Sequence, residues 1–245
     1  MSPRITLAIA ARVLTQLRRD HRTVAMLLLL PGIILTLLWW MFRDVSGHGF
    51  SALAPALLAL IPVIVMFLVT SVGTLRERTS GTLERLLAMP MGKGDFLLGY
   101  ALAFGLVAAV QSLLTVGLCV WVLGLDVVGP PWLLGLVAVA NGVLGTALGL
   151  FVSAFARTEF QAVQFMPAMV IPQLLLCGLF VARNSLPGVL HGISNVLPLS
   201  YSVDAMQRVA TSAGTAEVWR DVGVVVAFVV AGLVLGALTL RRQTS

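Results

Sequence analysis

The sequence of 245 residues is 59% hydrophobic and only 11% charged, with a mean hydropathy of +1.01. A soluble domain of this length needs more polar residues to cover its surface, so the composition excludes an ordinary soluble protein and indicates an integral membrane protein. In that setting the net charge of +6 reflects membrane topology, and we expect no nucleic-acid partner.

The first 23 residues predict an amphipathic helix that lies at the membrane surface. On a helical wheel, apolar side chains such as Leu7, Val13 and Leu17 share one arc, and Arg12 and Arg19 share the opposite arc. A basic amphipathic helix that precedes a span usually lies in the headgroup plane. Two roles stay open for it, a lipid anchor and a grip on a cytoplasmic partner.

Six apolar runs predict six transmembrane helices and a single all-α transmembrane domain over residues 1–245. A hydrocarbon core of ~30 Å needs roughly 20 residues per helical span. Open strands are excluded because unpaired backbone groups are costly in lipid. The predicted spans are residues 24–42, 52–75, 96–124, 132–155, 160–181 and 222–240.

The basic residues set the predicted orientation. With both termini in the cytoplasm, 12 of the 16 basic residues lie inside, and only Arg43, Arg183, Arg208 and Arg220 lie outside. Arginine outnumbers lysine by 15 to 1, which is typical of a GC-rich bacterial genome. We therefore expect a multi-pass protein of a bacterial plasma membrane.

Residues 76–90, between the second and third spans, predict a short cytoplasmic helix. Ser80 or Gly81 would cap it, and the proline at the end of the segment would stop it. A loop that faces only the anionic inner leaflet favours basic residues, whereas Glu77 and Glu84 lie among arginines here. The mixed charge favours a protein partner, and a solvated loop is the alternative.

The loop of residues 182–221 predicts a re-entrant or interfacial helical element between the fifth and sixth spans. It is too apolar for a free loop and too interrupted for a span. Tyr201 would lie at headgroup depth, and Asp204 and Arg208 would pair at i, i+4 spacing.

The predicted spans carry amides but no histidine or acidic residue at membrane depth, which argues against ion-coupled transport. The amides either line a translocation path or bond a neighbouring helix at about 0.6 kcal/mol each. The chain has no phosphate-loop motif, so we expect no ATP hydrolysis, no metal and no cofactor in the chain itself. The candidate path-lining residues are Gln111, Asn141, Gln164 and Gln173.

Three stretches together resemble the ABC-2 type permeases, the membrane subunits of a class of ATP-driven exporters. They are Glu77-x-x-x-Gly81-Thr82-x-Glu84-x-Leu86-Leu87-x-x-Pro90, Gln164…Pro172…Gly178-Leu-Phe…Leu186-Pro187 and Pro198-Leu-Ser-Tyr201-x-x-Asp204-Ala…Arg208. Within that family, its six predicted spans, its N-terminal interfacial helix and its lack of a large extracellular domain resemble the daunorubicin-exporter permeases. One departure is Leu197-Pro198-Leu-Ser-Tyr, where many members carry Asn-Pro and Thr-Tyr.

The resemblance implies partners. A second permease copy, as a homodimer or with a close paralogue, would form the path, and separate ATPase subunits would bind ATP and Mg²⁺ below it. Residues 76–90 would be the coupling helix that docks on the ATPase, and the re-entrant element would act at the outer gate. The implied coupling residues are Arg76, Glu77, Arg78, Gly81, Thr82, Glu84, Arg85 and Pro90, and the implied gate residues are Pro198, Tyr201, Asp204 and Arg208.

The predicted function is ATP-driven efflux through a permease subunit that is not itself an enzyme. The spans carry few tyrosines or tryptophans away from the interface, so we favour a lipophilic drug or a lipid over a glycan as substrate. Such a subunit would contribute to drug resistance or to lipid transport. The alternatives are half of a carrier or channel that does not use ATP, and a membrane assembly subunit.

Overall fold

The computed structural model describes residues 2–43, 49–80 and 92–239, with the backbone alone at Lys93. These residues are 85% helical and contain no strand, which confirms the all-α membrane fold. A π-helical turn, Leu118–Val122, extends α4, and a 3₁₀ turn covers Arg183–Ser185. The described helices are α1 Pro3–Arg19, α2 His21–Phe42, α3 Gly49–Thr79, α4 Lys93–Gly117, α5 Pro131–Val152, α6 Glu159–Leu176, α7 Gly188–Ser194, α8 Pro198–Thr211 and α9 Ala216–Thr239.

The helix starts follow local capping chemistry. Asp20 accepts a hydrogen bond from the Thr23 N–H and caps α2, and Thr158 accepts one from the Gln161 N–H and caps α6. Helices α1, α5 and α8 each begin with proline, whose missing N–H costs nothing in a first turn. The sequence therefore fixes the points at which the chain changes direction.

Among the described residues, five helices are long and apolar enough to cross a membrane. They are His21–Phe42, Gly49–Thr79, Gly94–Val122, Pro131–Val152 and Ala216–Thr239, and each overlaps one predicted span. The remaining predicted span, 160–181, corresponds to the 18-residue helix α6, which is not among the helices that are long and apolar enough to cross a membrane. The helix ends at Leu176, and the chain then turns through Gly178, at φ +93°. The sixth span stays a prediction.

Helix α5 is the centre of the bundle and packs against α3, α4, α8 and α9. In its most apolar stretch, 72% of the residues are buried, compared with 17% in α2. Its contact with α3 is close because Gly145 and Gly149 have no side chains. A Cβ at Gly145 would lie 2.4 Å from the Val63 carbonyl oxygen, and one at Gly149 would lie 2.7 Å from the Phe67 carbonyl oxygen. Small residues thus set the spacing of the two helices.

The bundle has two distinct ends. The proximal end contains α1, the last turn of α3 and the first turns of α4 and α6. The distal end contains the loop 123–130, helices α7 and α8 and the first turn of α9. At the distal end the N–H groups of Val128 and Gly129 donate to the carbonyls of Ala210 and Val209, so this loop closes the C-terminus of α8.

Candidate functional sites at the two ends of the bundle

The proximal end is organised around Glu77, in the last turn of α3. Nη2 of Arg12 donates to both carboxylate oxygens of Glu77, at 3.0 and 3.2 Å. Glu77 is only 6% exposed, so the carboxylate of this ion pair is largely removed from water. It fastens the surface helix α1 to the helix that leads into residues 81–90.

A second ion pair joins α3 to α6 at the same end. Nε and Nη2 of Arg76 donate to the two carboxylate oxygens of Glu159, at 2.8 and 3.0 Å. Both side chains are more than half exposed, so the pair contributes little to stability. The hydrogen bonds from Arg76 lower the pKa of the Glu159 carboxyl below its ordinary value.

The remaining predicted coupling residues are only partly described. Arg78 is half-buried, and its Nε has no hydrogen-bond partner within residues 2–43, 49–80 and 92–239. The other five lie outside the described residues, so the coupling helix stays a prediction. They are Gly81, Thr82, Glu84, Arg85 and Pro90.

Asp95 is a proximal residue that the sequence reasoning missed. Its buried carboxylate accepts hydrogen bonds from the backbone N–H groups of Gly92 and Ser2, at 3.0 and 2.9 Å, and from the Thr6 hydroxyl at 3.3 Å. It therefore closes the first turn of α4 and holds the start of α1. A glycine three residues before an aspartate at the head of an apolar run was the available signal.

At the distal end, Asp204 pairs with Arg183, so the predicted pair of Asp204 with Arg208 is wrong. Arg183 also donates to the side chains of Ser194 and Asn195, at 2.9 and 2.6 Å. The spacing of Asp204 and Arg208 on α8 is right for a pair. The chain between α6 and α7 brings a competing guanidinium to the carboxylate, and Arg208 finds acidic partners elsewhere.

Those partners of Arg208 belong to α9. Arg208 forms an ion pair with Glu217, and its Nε lies 3.5 Å from Asp221 Oδ2. Asp221 is completely buried and is also contacted by Arg220, at 3.2 Å. The sequence analysis placed Asp221 at the end of a loop, whereas it is the sixth residue of α9. Two guanidiniums thus share one buried carboxylate.

Three of the four predicted gate residues line one polar cavity of about 650 Å³. Tyr201, Asp204 and Arg208 face it together with Arg183 and Arg220. The Tyr201 hydroxyl donates to the Asn195 carbonyl at 2.7 Å, and the Arg183 guanidinium lies 5.3 Å from the centre of the tyrosine ring. Pro198, the fourth predicted gate residue, begins α8, and this helix packs against α3 and α9.

The four candidate path amides lie on three different helices. Gln111 and Asn141 are fully buried on α4 and α5, whereas Gln164 is exposed on α6. Gln173 donates to the Met169 carbonyl of its own helix at 3.0 Å. Neither amide atom of Asn141 has a hydrogen-bond partner among the described residues. A common path-lining role therefore stays a prediction.

Within the described part of the chain, a bundle with five membrane-length apolar helices, a docked amphipathic helix and charged contacts at both ends defines a polytopic membrane protein. The sequence matches the ABC-2 type transporter family over residues 5–210, more than half of its length. The chain belongs to the ABC-2 type transporter family.

Curated relatives agree with this assignment. The chain is 26% identical to the probable multidrug ABC transporter permease YbhR of Escherichia coli, over 63% of this chain and 42% of the relative. It is 31% identical to the inner membrane transport permease YhhJ of Escherichia coli, over 66% and 44%. It is 26% identical to ABC transporter G family member 20 of Dictyostelium discoideum, over 78% of this chain and 27% of the relative. The matched region thus spans less than half the length of these relatives.

Proposed function

We propose that this chain is the membrane subunit of an ATP-driven exporter and that a separate ATPase hydrolyses the ATP. Family membership supports an ABC system, and two relatives from Escherichia coli are named as permeases. The sequence in hand carries no phosphate-loop motif, and the proposal assigns ATP hydrolysis to a separate subunit. The proximal end is the face on which we propose that the ATPase docks. In this proposal the proximal end and both termini lie in the cytoplasm.

The observation that carries the proposal is the ion pair between Arg12 and Glu77. Because Glu77 is nearly buried, breaking the contact would leave a carboxylate without its counter-charge, so the contact resists separation. It lies just before residues 81–90, where the family signature continues. A partner that pushes on this segment would move α1 and α3 together.

Helix α3 provides a route from that face to the distal end. Its 31 residues span about 46 Å at 1.5 Å per residue, which exceeds the thickness of a hydrocarbon core. It packs closely on α5 through Gly145 and Gly149, and it also contacts α8. A tilt of α3 at the proximal end would therefore reach the cavity beside Tyr201 and Asp204, our proposed outer gate.

The proposed cargo is a lipophilic drug or a lipid, moved along a path that the chain forms with a second copy or a paralogue in a bacterial plasma membrane. Leu29, Ile33 and Leu37 of α2 are more than 40% exposed, so the outside of the bundle suits contact with acyl chains or with another helix. The name of the relative YbhR, a probable multidrug ABC transporter permease, agrees with a drug as cargo.

Purification of the tagged chain from its own membranes tests the proposal. We expect a phosphate-loop ATPase in stoichiometric amount, and ATP hydrolysis by the complex that depends on the permease. Glu84→Arg should reduce the coupled hydrolysis at least tenfold while membrane insertion is unchanged, and Glu84→Gln, which adds no repulsive charge, should be milder. A chain that purifies alone and transports without ATP contradicts the proposal.

A further inference from the structure

We propose that the proximal end holds a binding site for a primary ammonium group carried on an apolar chain. The site is a cavity of about 230 Å³ between α1, α2, α3 and α4. This inference goes beyond the proposed function, because it assigns a ligand to a cavity inside a single copy of the chain. The polar groups that line it include Asp20, Arg76, Glu77 and Tyr100.

The hydroxyl of Tyr100 is the feature that points to a ligand. Tyr100 is 1% exposed, lines the cavity and has no hydrogen-bond partner for its hydroxyl among the described residues. Buried hydroxyls in folded proteins nearly always have a partner, so this one marks the place where a polar group of a ligand would sit. The phenolic oxygen accepts as well as donates a hydrogen bond.

The charges around the cavity select a cation. Asp20 and Glu77 line it with Arg76, and the partners behind them are Arg12 and Glu159. The walls of the cavity therefore carry two carboxylates and one guanidinium, which leaves one negative charge for a ligand to neutralise. Asp20 is ionised at neutral pH, and the hydrogen bond from the Thr23 hydroxyl lowers its pKa further.

The remaining walls suit an apolar chain and an aromatic contact. Val13, Leu17, Val69 and Phe104 line the cavity from α1, α3 and α4. The Tyr100 ring lies between two phenylalanines of α4, with ring centres 4.3 Å from Phe96 and 6.1 Å from Phe104. Aromatic faces attract cations, and an N–H-bearing ammonium also donates to the Tyr100 oxygen.

Two sources supply this chemistry, a free amphiphilic amine and the ethanolamine headgroup of a phospholipid.

The test measures labelling of Gly73→Cys by N-ethylmaleimide in the full chain in nanodiscs. A Cβ at Gly73 would lie 3.4 Å from the Phe104 ring, an ordinary contact, so the thiol fits the cavity wall. The native Cys119 and Cys177 are buried elsewhere. Val72→Cys, on the same wall, serves if Gly73→Cys folds poorly.

In phosphatidylcholine nanodiscs, dodecylamine at about ten times its dissociation constant should slow the labelling about tenfold, and dodecanol should not. Phosphatidylethanolamine nanodiscs should slow it without added amine if the headgroup binds. Tyr100→Phe, which removes only the hydroxyl, should weaken the protection. A thiol at Thr36→Cys, in the exposed groove of α2, should be unaffected by dodecylamine.

Three results would overturn the site: equal protection by dodecanol, no protection by dodecylamine or phosphatidylethanolamine, and unchanged protection in Tyr100→Phe. The measurement uses neither ATP nor an ATPase. Failure of the ammonium site is therefore distinguishable from failure of the proposed export function.

Discussion

The two ends of the bundle both hold arginine–carboxylate contacts, but the number of arginines per carboxylate differs. At the proximal end, Glu77 and Glu159 each take one guanidinium, from Arg12 and Arg76. At the distal end, two guanidiniums share the buried Asp221, while Arg183 reaches three side-chain oxygens and the ring of Tyr201.

The difference also concerns what is joined. The proximal pairs connect residues 65 and 83 positions apart, and so link helices that are distant in the sequence. The pair of Arg183 with Asp204 joins residues 21 positions apart and fastens short distal helices to each other. The proximal end is therefore suited to pass movement between helices, and the distal end to hold α8 against the bundle.

Asp221→Ala is expected to have the largest effect. It removes the fully buried carboxylate that Arg208 contacts, and Arg208 keeps the exposed Glu217 as a weaker partner. We expect a loss of about 3 kcal/mol in unfolding free energy, near the lower limit for breaking a buried pair. Thermal unfolding in detergent measures it. Glu217→Gln, 68% exposed, is the matched control and should cost below about 1 kcal/mol. Equal effects would show that Asp221 is not the centre of the distal cluster.

Gly145→Ala tests the contact between α3 and α5 that links the two ends. The added Cβ would meet the Val63 carbonyl oxygen at 2.4 Å, and backbone atoms do not yield cheaply. We expect a loss of about 2 kcal/mol from overpacking. Gly223→Ala, whose Cβ would meet nothing within 4 Å, should be neutral or stabilising. If both alanine variants unfold at the wild-type temperature, the two helices are not held at this spacing.

Arg12→Ala and Glu77→Gln test the proximal pair, and they should differ. The Arg12 side chain is 37% exposed and that of Glu77 only 8%, so losing the arginine strands a buried charge. We expect about 2 kcal/mol for Arg12→Ala and about 1 kcal/mol for Glu77→Gln. Hydrogen exchange in α1 reports the loss of docking. Exchange in α1 that is unchanged in both variants would mean that the ion pair does not hold the helix in place.

Arg76→Ala should have the smallest effect, below about 1 kcal/mol, because the pair with Glu159 is exposed. Its signature is pH dependence. The folded-state pKa of Glu159 is lowered, so the stabilisation is present above the ordinary value of 4.5 and is lost as pH falls through the lowered pKa. Wild type and Arg76→Ala should therefore converge in acid. A difference in stability that grows as the pH falls below 4.5 would refute this assignment.

Hydropathy predicted most of the fold because a membrane requires long apolar helices with satisfied backbone groups. It could not predict the charged contacts, since these depend on which side chains the connections bring together. Asp204 shows this, as its partner Arg183 arrives from a turn rather than from its own helix. The contacts of Asp221 could not be predicted either, because α9 begins at Ala216, before the apolar run from which the span was predicted.

The family resemblance lies in residues 76–90 and in the two stretches between Gln164 and Arg208. Of residues 76–90, the structure describes only 76–80. Arg76 and Glu77 contact α6 and α1, which no spacing rule predicts, because the partners lie far away in the sequence. For Tyr201 the expected helix is present, and the structure adds its contact with the Asn195 carbonyl.

Photocrosslinking tests most directly whether the proximal end meets the ATPase. A benzophenone amino acid is placed at Thr79, beside the coupling segment, or at Asn184, beside the distal cavity, and the chain is irradiated in its own membranes. We predict an adduct between an ATP-binding chain and the Thr79 variant, and no such adduct with the Asn184 variant. An ATPase adduct at Asn184, or none at Thr79 when the ATPase copurifies with the chain, would contradict the account.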